Sequence, residues 1–211
     1  MNCIIVASGN LVFSQKIKRL INEADLIIAA DGGATHLRGM NLFPDFIIGD
    51  MDSIHPETLE FFKNNHTPFI HHPSRKDSTD TDLCVDFALQ KGATNITLIG
   101  VTGHRLDHTL ANIFLLKKLA DKGIKSRILD ANNEIYLVTD HLRLKGNKGD
   151  LLSAIPLSDK ITGLTLKGLE YPLENASIPM GSSLGLSNYF SQPDVTISIA
   201  TGMLLVTKSR D

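Results

Sequence analysis

The feature that most limits what this chain can fold into is a change of hydrophobic period near residue 130. Before it, short apolar runs alternate with amphipathic stretches. "CIIVAS", "DLIIAA", "DFIIGD", "TPFIHH", "NITLIG" and "SRILDA" read as buried strands, and "FSQKIKRLINEA", "PETLEFFKNN", "DLCVDFALQKG" and "LDHTLANIFLLKKLADKG" as helices. Strands alternating with helices specify a mostly parallel, Rossmann-like α/β sheet. After residue 130, "EIYLVTD", "HLRLKG", "DLLSAIPL", "ITGLTLKGL", "VTISIA" and "MLLVTKS" are short strands punctuated by Gly, Asn, Asp and Pro, with Thr201-Gly202 read as a tight hairpin connection. That half is expected to be an antiparallel β-sandwich or barrel. The predicted domains are 1–130 (α/β) and 131–211 (antiparallel β), divided near "DANN".

Composition narrows the partners. A net charge of −2 and the lack of any Lys/Arg run argue against nucleic acid and anionic membranes, and favour small molecules. The N-terminus has no signal-peptide pattern, and no apolar run approaches the ~20 residues that cross a bilayer, so a cytoplasmic location is expected. The two cysteines, Cys3 and Cys84, lie far apart with no zinc spacing, which fits a reducing compartment and offers no persuasive nucleophile.

The stretch "SRKDSTDTDLCVDFAL" crowds Asp77, Asp80, Asp82 and Asp86 into ten positions. Carboxylates converging at ~4 Å repel by roughly 4 kcal/mol per pair at an effective dielectric of about 20. Part of the stretch reads as a helix start: Thr79 followed by Asp82 fits a capping box, and acids in a first turn complement the helix dipole. That leaves Asp77 unexplained. It also leaves unexplained why other strand ends carry matching groups.

Ligands of an open parallel sheet bind beyond the carboxyl ends of its strands. Here those ends read Asp31, Gly32 and Gly33; then Gly49, Asp50, Asp52 and Ser53; then Gly103, Arg105, Asp107 and His108. The Asp77 to Asp82 group joins the same edge if "TPFIHH" is also a parallel strand. Several carboxylates with glycines beside them suit a hard cation such as Mg²⁺, which takes oxygen ligands. Lys76 and Arg105 suit phosphate oxygens. Taken singly, Asp50 and Asp52 are an ordinary turn and Arg105 with Asp107 an ordinary surface pair. Their matching places in one architecture favour metal-assisted phosphoryl chemistry. His71/His72 and His104/His108 are read as solvated or hydrogen-bonded rather than as a transition-metal site. Neither GxxxxGK[ST] nor GxGxxG occurs.

In order, "ADGGA", "GDMDS", "KDSTDTD", "GHRLDH" and "SLGLSN" resemble the thiamine pyrophosphokinases (thiamine diphosphokinases) of bacterial form, over essentially the full length. The resemblance implies an N-terminal α/β domain that binds ATP and Mg²⁺, a C-terminal β-sandwich that binds thiamine, and a homodimer with the site shared between subunits. It implies transfer of the pyrophosphoryl group of ATP to thiamine, with release of AMP. It assigns Asp50, Asp52, Asp77 and Asp80 to Mg²⁺. It places Asp31, Gly32, Lys76, Thr79, Arg105 and Asp107 along the nucleotide and diphosphate, and Ser187 and Asn188 against thiamine from the partner subunit. Lys76 and Arg105 would neutralise phosphate charge, and Asp80 or Asp107 would take the hydroxyl proton. No Trp is present, so Tyr189 or Phe190 is left to stack on thiamine.

Two other classes compete. A Mg²⁺-dependent phosphohydrolase shares the DxD of "DMDS", but that motif normally closes a first strand and here closes about the third. A non-catalytic nucleotide-binding module would bind ATP and Mg²⁺ without turnover.

Overall fold

The six apolar runs of the first half become strands β1 (Asn2–Val6), β2 (Leu26–Ala30), β3 (Phe46–Gly49), β4 (Phe69–His71), β5 (Asn95–Ile99) and β6 (Lys125–Leu129) in the computed structural model, which describes residues 1–75 and 77–210. Their pairings are all parallel, in the order β6-β5-β1-β2-β3-β4. The runs are continuously apolar because both faces are covered. On β1, Ile4 and Val6 pack with Ile17 and Ile21 of α1 (Gln15–Asn22), Leu37 of α2 (Gly33–Gly39) and Phe62 of α3 (Pro56–Asn64). The intervening Cys3 and Ile5 are equally buried, and α4 (Asp80–Gln90) packs against β1, β2 and β3. α5 (Leu106–Ala120) covers β6.

Local signals set the helix starts. Ser14 caps α1 by accepting from the Ile17 N–H, Pro56 opens α3, and Thr79 caps α4. Helix α2 was not legible in the sequence, because seven residues with glycine at each end give little period and poor propensity. Tertiary contact holds it: a Cβ on Gly33 would lie 2.0 Å from the Val6 carbonyl oxygen, so only glycine lets the helix start sit on β1.

From β1 the chain moves outward through β2, β3 and β4, then returns to place β5 on the other side of β1. The carboxyl ends of β1 and β5 therefore flank a topological switch point, the usual crevice of such sheets.

From Asn132 onward the chain forms a second compact unit, the first being Met1–Ala131. Its strands are β7 (Asn133–Val138), β8 (His141–Lys145), β9 (Leu151–Pro156), β10 (Lys160–Lys167), β11 (Leu173–Pro179), β12 (Asn188–Tyr189), β13 (Asp194–Ser198) and β14 (Leu204–Ser209). All pairings are antiparallel, in two sheets ordered β12-β9-β14-β7 and β11-β10-β13-β8. Leu152, Leu204 and Val206 from one sheet share a core with Leu164, Val195 and Ile197 from the other, which makes the unit a sandwich.

The Thr201-Gly202 hairpin is corrected by the structure. β13 and β14 lie in different sheets, and Thr201 instead bridges Thr162 of β10, with their Oγ1 atoms 2.7 Å apart. β11 and β12 escaped the sequence reading because β11 is mostly exposed and β12 is two residues long.

No helix among the described residues is long and apolar enough to cross a membrane. Cys3 and Cys84 are both buried and outside any disulfide, and burial, reinforced by Asp45, pushes the Cys3 thiol up to about 12. Such a thiol is no nucleophile at neutral pH.

Candidate active site

Acids from two successive strand ends meet. Asp31 follows β2, Asp50 and Asp52 follow β3, and a carboxylate oxygen from each lies within 4.8 Å of the other two. Left-handed backbone at Asp31 (φ 44°) and Met51 (φ 69°) turns the chain sharply at these positions. Asp31 is buried. Its Oδ2 accepts the Ser53 N–H at 3.3 Å, while Oδ1 is buried without a hydrogen-bond partner. Burial raises the Asp31 pKa, the Ser53 hydrogen bond opposes the rise, and Asp80, Asp50 and Asp52 add to it. A buried carboxylate with one bare oxygen among three acids is a site that a hard divalent cation would satisfy, so these residues fit Mg²⁺.

Asp80, at the first position of α4, adjoins this group. A Cβ on Gly49 would lie 3.0 Å from Asp80 Oδ1 and 2.8 Å from the Asp31 Cβ, so only glycine lets the two acids approach across β3. β4 is parallel to β3, and that pairing brings α4 to the same edge as the sequence required. Asp77 is exposed on the bend before α4 and is not one of the three clustered acids. Lys76 lies outside the described residues. Thr79 Oγ1 accepts the Asp82 N–H at 3.2 Å, so its hydroxyl serves as the helix cap.

Beside the acids lies a cleft of about 260 Å³ between the loops that follow β1 and β5, lined by Ser8, Asn10, Thr81, Thr102, Arg105 and His108 among others. It occupies the switch point. The two loops continue pairing beyond the strands, Gly9 N–H to Gly100 O at 2.6 Å and Asn10 N–H to Thr102 O at 2.7 Å. A Cβ on Gly9 would lie 2.3 Å from Thr102 O, so this approach requires glycine. His36 holds the Gly9 carbonyl at 2.9 Å, and buried Asn112 donates to Val101 O at 2.8 Å. The cleft and the acids adjoin at Gly32, where a Cβ would meet Ser8 on one side and Ser53 on the other. The sequence reading missed Ser8, Asn10, Thr102 and Asn112. The available signal was Gly9, directly after β1 at the rim.

Arg105 forks onto Asp107 through Nε to Oδ1 at 3.3 Å and Nη2 to Oδ2 at 2.5 Å, with both side chains exposed. The Arg105 hydrogen bond holds the Asp107 carboxyl down at about 2, and the same pairing raises Arg105. The surface-pair geometry is therefore real, and its Arg105 member lines the cleft.

In the second unit, Ser187 is exposed with φ 54° and donates its N–H to Ser153 Oγ at 3.1 Å. Asn188 points inward. Its Oδ1 accepts from the N–H groups of Tyr171 at 3.0 Å and Tyr189 at 2.9 Å, and its Nδ2 donates to Tyr171 O at 2.7 Å. Phe190 is 1% exposed in the sandwich core and cannot stack on a ligand, whereas Tyr189 is 41% exposed.

Comparison with known proteins agrees with this layout. The family described as thiamin pyrophosphokinase, catalytic domain, matches residues 17–128, and the thiamin pyrophosphokinase vitamin B1 binding domain matches residues 139–204. The chain is 35% identical over 210 residues to thiamine pyrophosphokinase of Bacillus subtilis, covering 98% of each. Its fold is similar to the crystal structure of thiamine pyrophosphokinase from Bacillus subtilis, with TM-score 0.92, 33% identity and full coverage of both chains. The thiamin pyrophosphokinase of Geobacillus thermodenitrificans superposes with TM-score 0.88 at 29% identity, covering 100% of this chain and 98% of that one. With acids converging beside a switch-point cleft and both family domains matched in order, the chain belongs to the thiamine pyrophosphokinase family.

Proposed function

We propose that the chain transfers the pyrophosphoryl group of ATP to the hydroxyl of thiamine, giving thiamine diphosphate and AMP. The observation that carries the reading is the grouping of Asp31, Asp50 and Asp52 within 4.8 Å, with Asp80 beside them, next to the cleft at the ends of β1 and β5. Asp50, Asp52 and Asp80, joined by Asp31, would hold Mg²⁺. When bound, Mg²⁺ supplies charge neutralisation for the phosphate oxygens.

The chain's own residues supply position and charge. Arg105, with Lys76, engages phosphate oxygens, and the glycine-lined loops after β1 and β5 admit the nucleotide close to the backbone. The thiamine hydroxyl oxygen attacks the β-phosphorus in line with the bond to the α-phosphate, and AMP leaves with the bridging oxygen. The two carboxylates considered for the hydroxyl proton are Asp80, beside the clustered acids, and Asp107, which Arg105 releases when it turns to phosphate. Most of the rate enhancement then comes from orientation and electrostatics.

In this reading residues 1–130 carry ATP and Mg²⁺, and residues 131–211 carry thiamine. Ser187 and Tyr189 face thiamine, while Asn188 fixes the backbone around them. Two chains form a homodimer in which each site takes its thiamine side from the partner. The enzyme works in the cytoplasm, where ATP is available and Cys3 and Cys84 stay reduced.

The test is purified protein with ATP, Mg²⁺ and thiamine, followed for AMP and thiamine diphosphate together. Both must appear, and only with thiamine present. Phosphate release without thiamine would favour the hydrolase, against which the loop after β1, Ala7 to Asn10, holds no carboxylate. Nucleotide binding without turnover would favour the binding module.

A further inference from the structure

Three consecutive residues of α4 face three different things. Asp80 abuts Gly49 beside the carboxylate group, Thr81 is buried on the cleft wall, and Asp82 sends its carboxylate to Lys118 of α5. Lys118 Nζ lies 2.8 Å from Asp82 Oδ1 and 2.6 Å from Asp86 Oδ1, so one ammonium spans two successive turns of α4. The ion pairs are partly sheltered, with the Lys118 side chain 31% exposed and Asp82 25%. α5 also begins with Arg105 and Asp107.

We propose that Lys118 is a positioning residue for the metal-binding acids, holding the first turn of α4, and Asp80 with it, against the ends of β2 and β3. The reasoning is electrostatic and steric together. Asp80 at the start of α4 repels the carboxylates of Asp31, Asp50 and Asp52 beside it, and this repulsion pushes the helix start away from the strand ends. The Thr79 cap satisfies a backbone donor but supplies no opposing charge. Lys118 does, from a neighbouring helix, and two oxygens set four residues apart fix the helix in rotation as well as in distance. This inference rests on the reading that the acids hold a divalent cation.

The sign of the effect separates positioning from simple screening. Removing a positive charge near an anionic site strengthens cation binding if Lys118 only screens. It weakens binding if Lys118 places Asp80. Lys117→Met is the control: it removes the same charge from the adjacent residue of α5, where Lys117 pairs with Asp121 of its own helix at 2.6 Å.

The experiment titrates Mn²⁺ alone into the full-length protein, reads free ion by electron paramagnetic resonance, and measures kcat and the half-saturating Mg²⁺ in parallel. Lys118→Met is expected to weaken Mn²⁺ by about tenfold, the low end of what outer partners of metal ligands contribute. Lys117→Met should not weaken it. Lys118→Arg should restore most of the affinity. If Lys118→Met does not fold, Lys118→Gln, which removes the same charge but keeps a polar end for Asp82 and Asp86, carries the same test of sign. Wild-type-like or tighter Mn²⁺ binding in folded Lys118→Met, or in Lys118→Gln when that variant must decide, overturns the positioning role while the metal reading stands. No Mn²⁺ binding by the wild type overturns the metal reading and this inference with it.

Discussion

Ser53 donates its backbone N–H to Oδ2 of Asp31 across 3.3 Å, while Oδ1 of the same carboxylate is buried with no hydrogen-bond partner. A half-satisfied buried carboxylate is costly, and three further acids raise that cost. The arrangement makes sense as a site that is completed by binding.

In chelator-treated protein, the raised pKa of Asp31 destabilises the fold as pH rises. An Asp with an elevated folded pKa contributes its favourable neutral form below the unfolded value of 3.8, and that contribution is lost as pH climbs through the folded value. Asp31→Asn should therefore melt higher than wild type at pH 7 without metal, and gain less from added Mg²⁺. Calorimetric melting with and without Mg²⁺ checks this. A lower melting temperature for metal-free Asp31→Asn would contradict it.

Asp52→Asn keeps the shape of the side chain and removes an exposed anionic ligand. Turnover should fall by roughly two orders of magnitude or more, with the melting temperature little changed. Replacement of Thr79 by Ala gives the contrasting signature, a loss of about 1 kcal/mol of stability from the cap. Near-normal turnover in folded Asp52→Asn would remove that residue from the ligand set.

Arg105→Lys retains charge but loses the planar fork. If the guanidinium leaves Asp107 to grip phosphate, kcat/KM for ATP should drop by about 10- to 100-fold, the range of a lost charged hydrogen bond. Stability should hold, because the pair is exposed. Unchanged kinetics would return Arg105 to a surface role. The Asp107 carboxyl should titrate near 2 by NMR, losing its ionised partnership only as pH falls through that value.

Gly9→Ala tests the cleft. The added Cβ lies 2.3 Å from Thr102 O and 2.6 Å from Gly100 O, both backbone atoms that cannot swing aside. The loops must separate, at about 1–3 kcal/mol. Weaker ATP binding is expected alongside a lower melting temperature, measured by calorimetry. Wild-type affinity would place the nucleotide elsewhere.

The shared site is tested by complementation. Asp52→Asn is mixed, under subunit exchange, with a chain carrying Ser187→Ala and Tyr189→Ala. Asn188 is left intact because its buried carboxamide makes three hydrogen bonds and its loss would unfold the segment. A composite site concentrates both lesions in one site of the mixed dimer and frees the other, so activity returns. Continued inactivity with proven exchange rejects the composite arrangement.

Much of this protein was legible from local pattern. Apolar runs such as "DLIIAA" and "DFIIGD" became buried parallel strands because burial on both faces demands a continuous apolar run. Thr79 became the cap of α4 because a hydroxyl three residues before a free N–H needs nothing from afar. The rim position of Asp31, Asp50, Asp52 and Asp80 followed from strand polarity.

What tertiary structure alone decided is which partner each group meets. Asp82 and Asp86 go to Lys118, more than thirty residues on, while Asp80 stays with the carboxylates, although all three belong to one acidic stretch. Thr201-Gly202 reads as a hairpin locally, yet its strands join different sheets, β13 pairing with β10 and β8 and β14 with β7 and β9. Asn188 and Phe190 turn inward while Tyr189 between them stays half out, as strand alternation on β12 requires once β9 sets its register. Periodicity is a property of neighbours in sequence and can be read from the chain alone. Partner choice depends on long-range contacts that exist only once the chain has closed on itself.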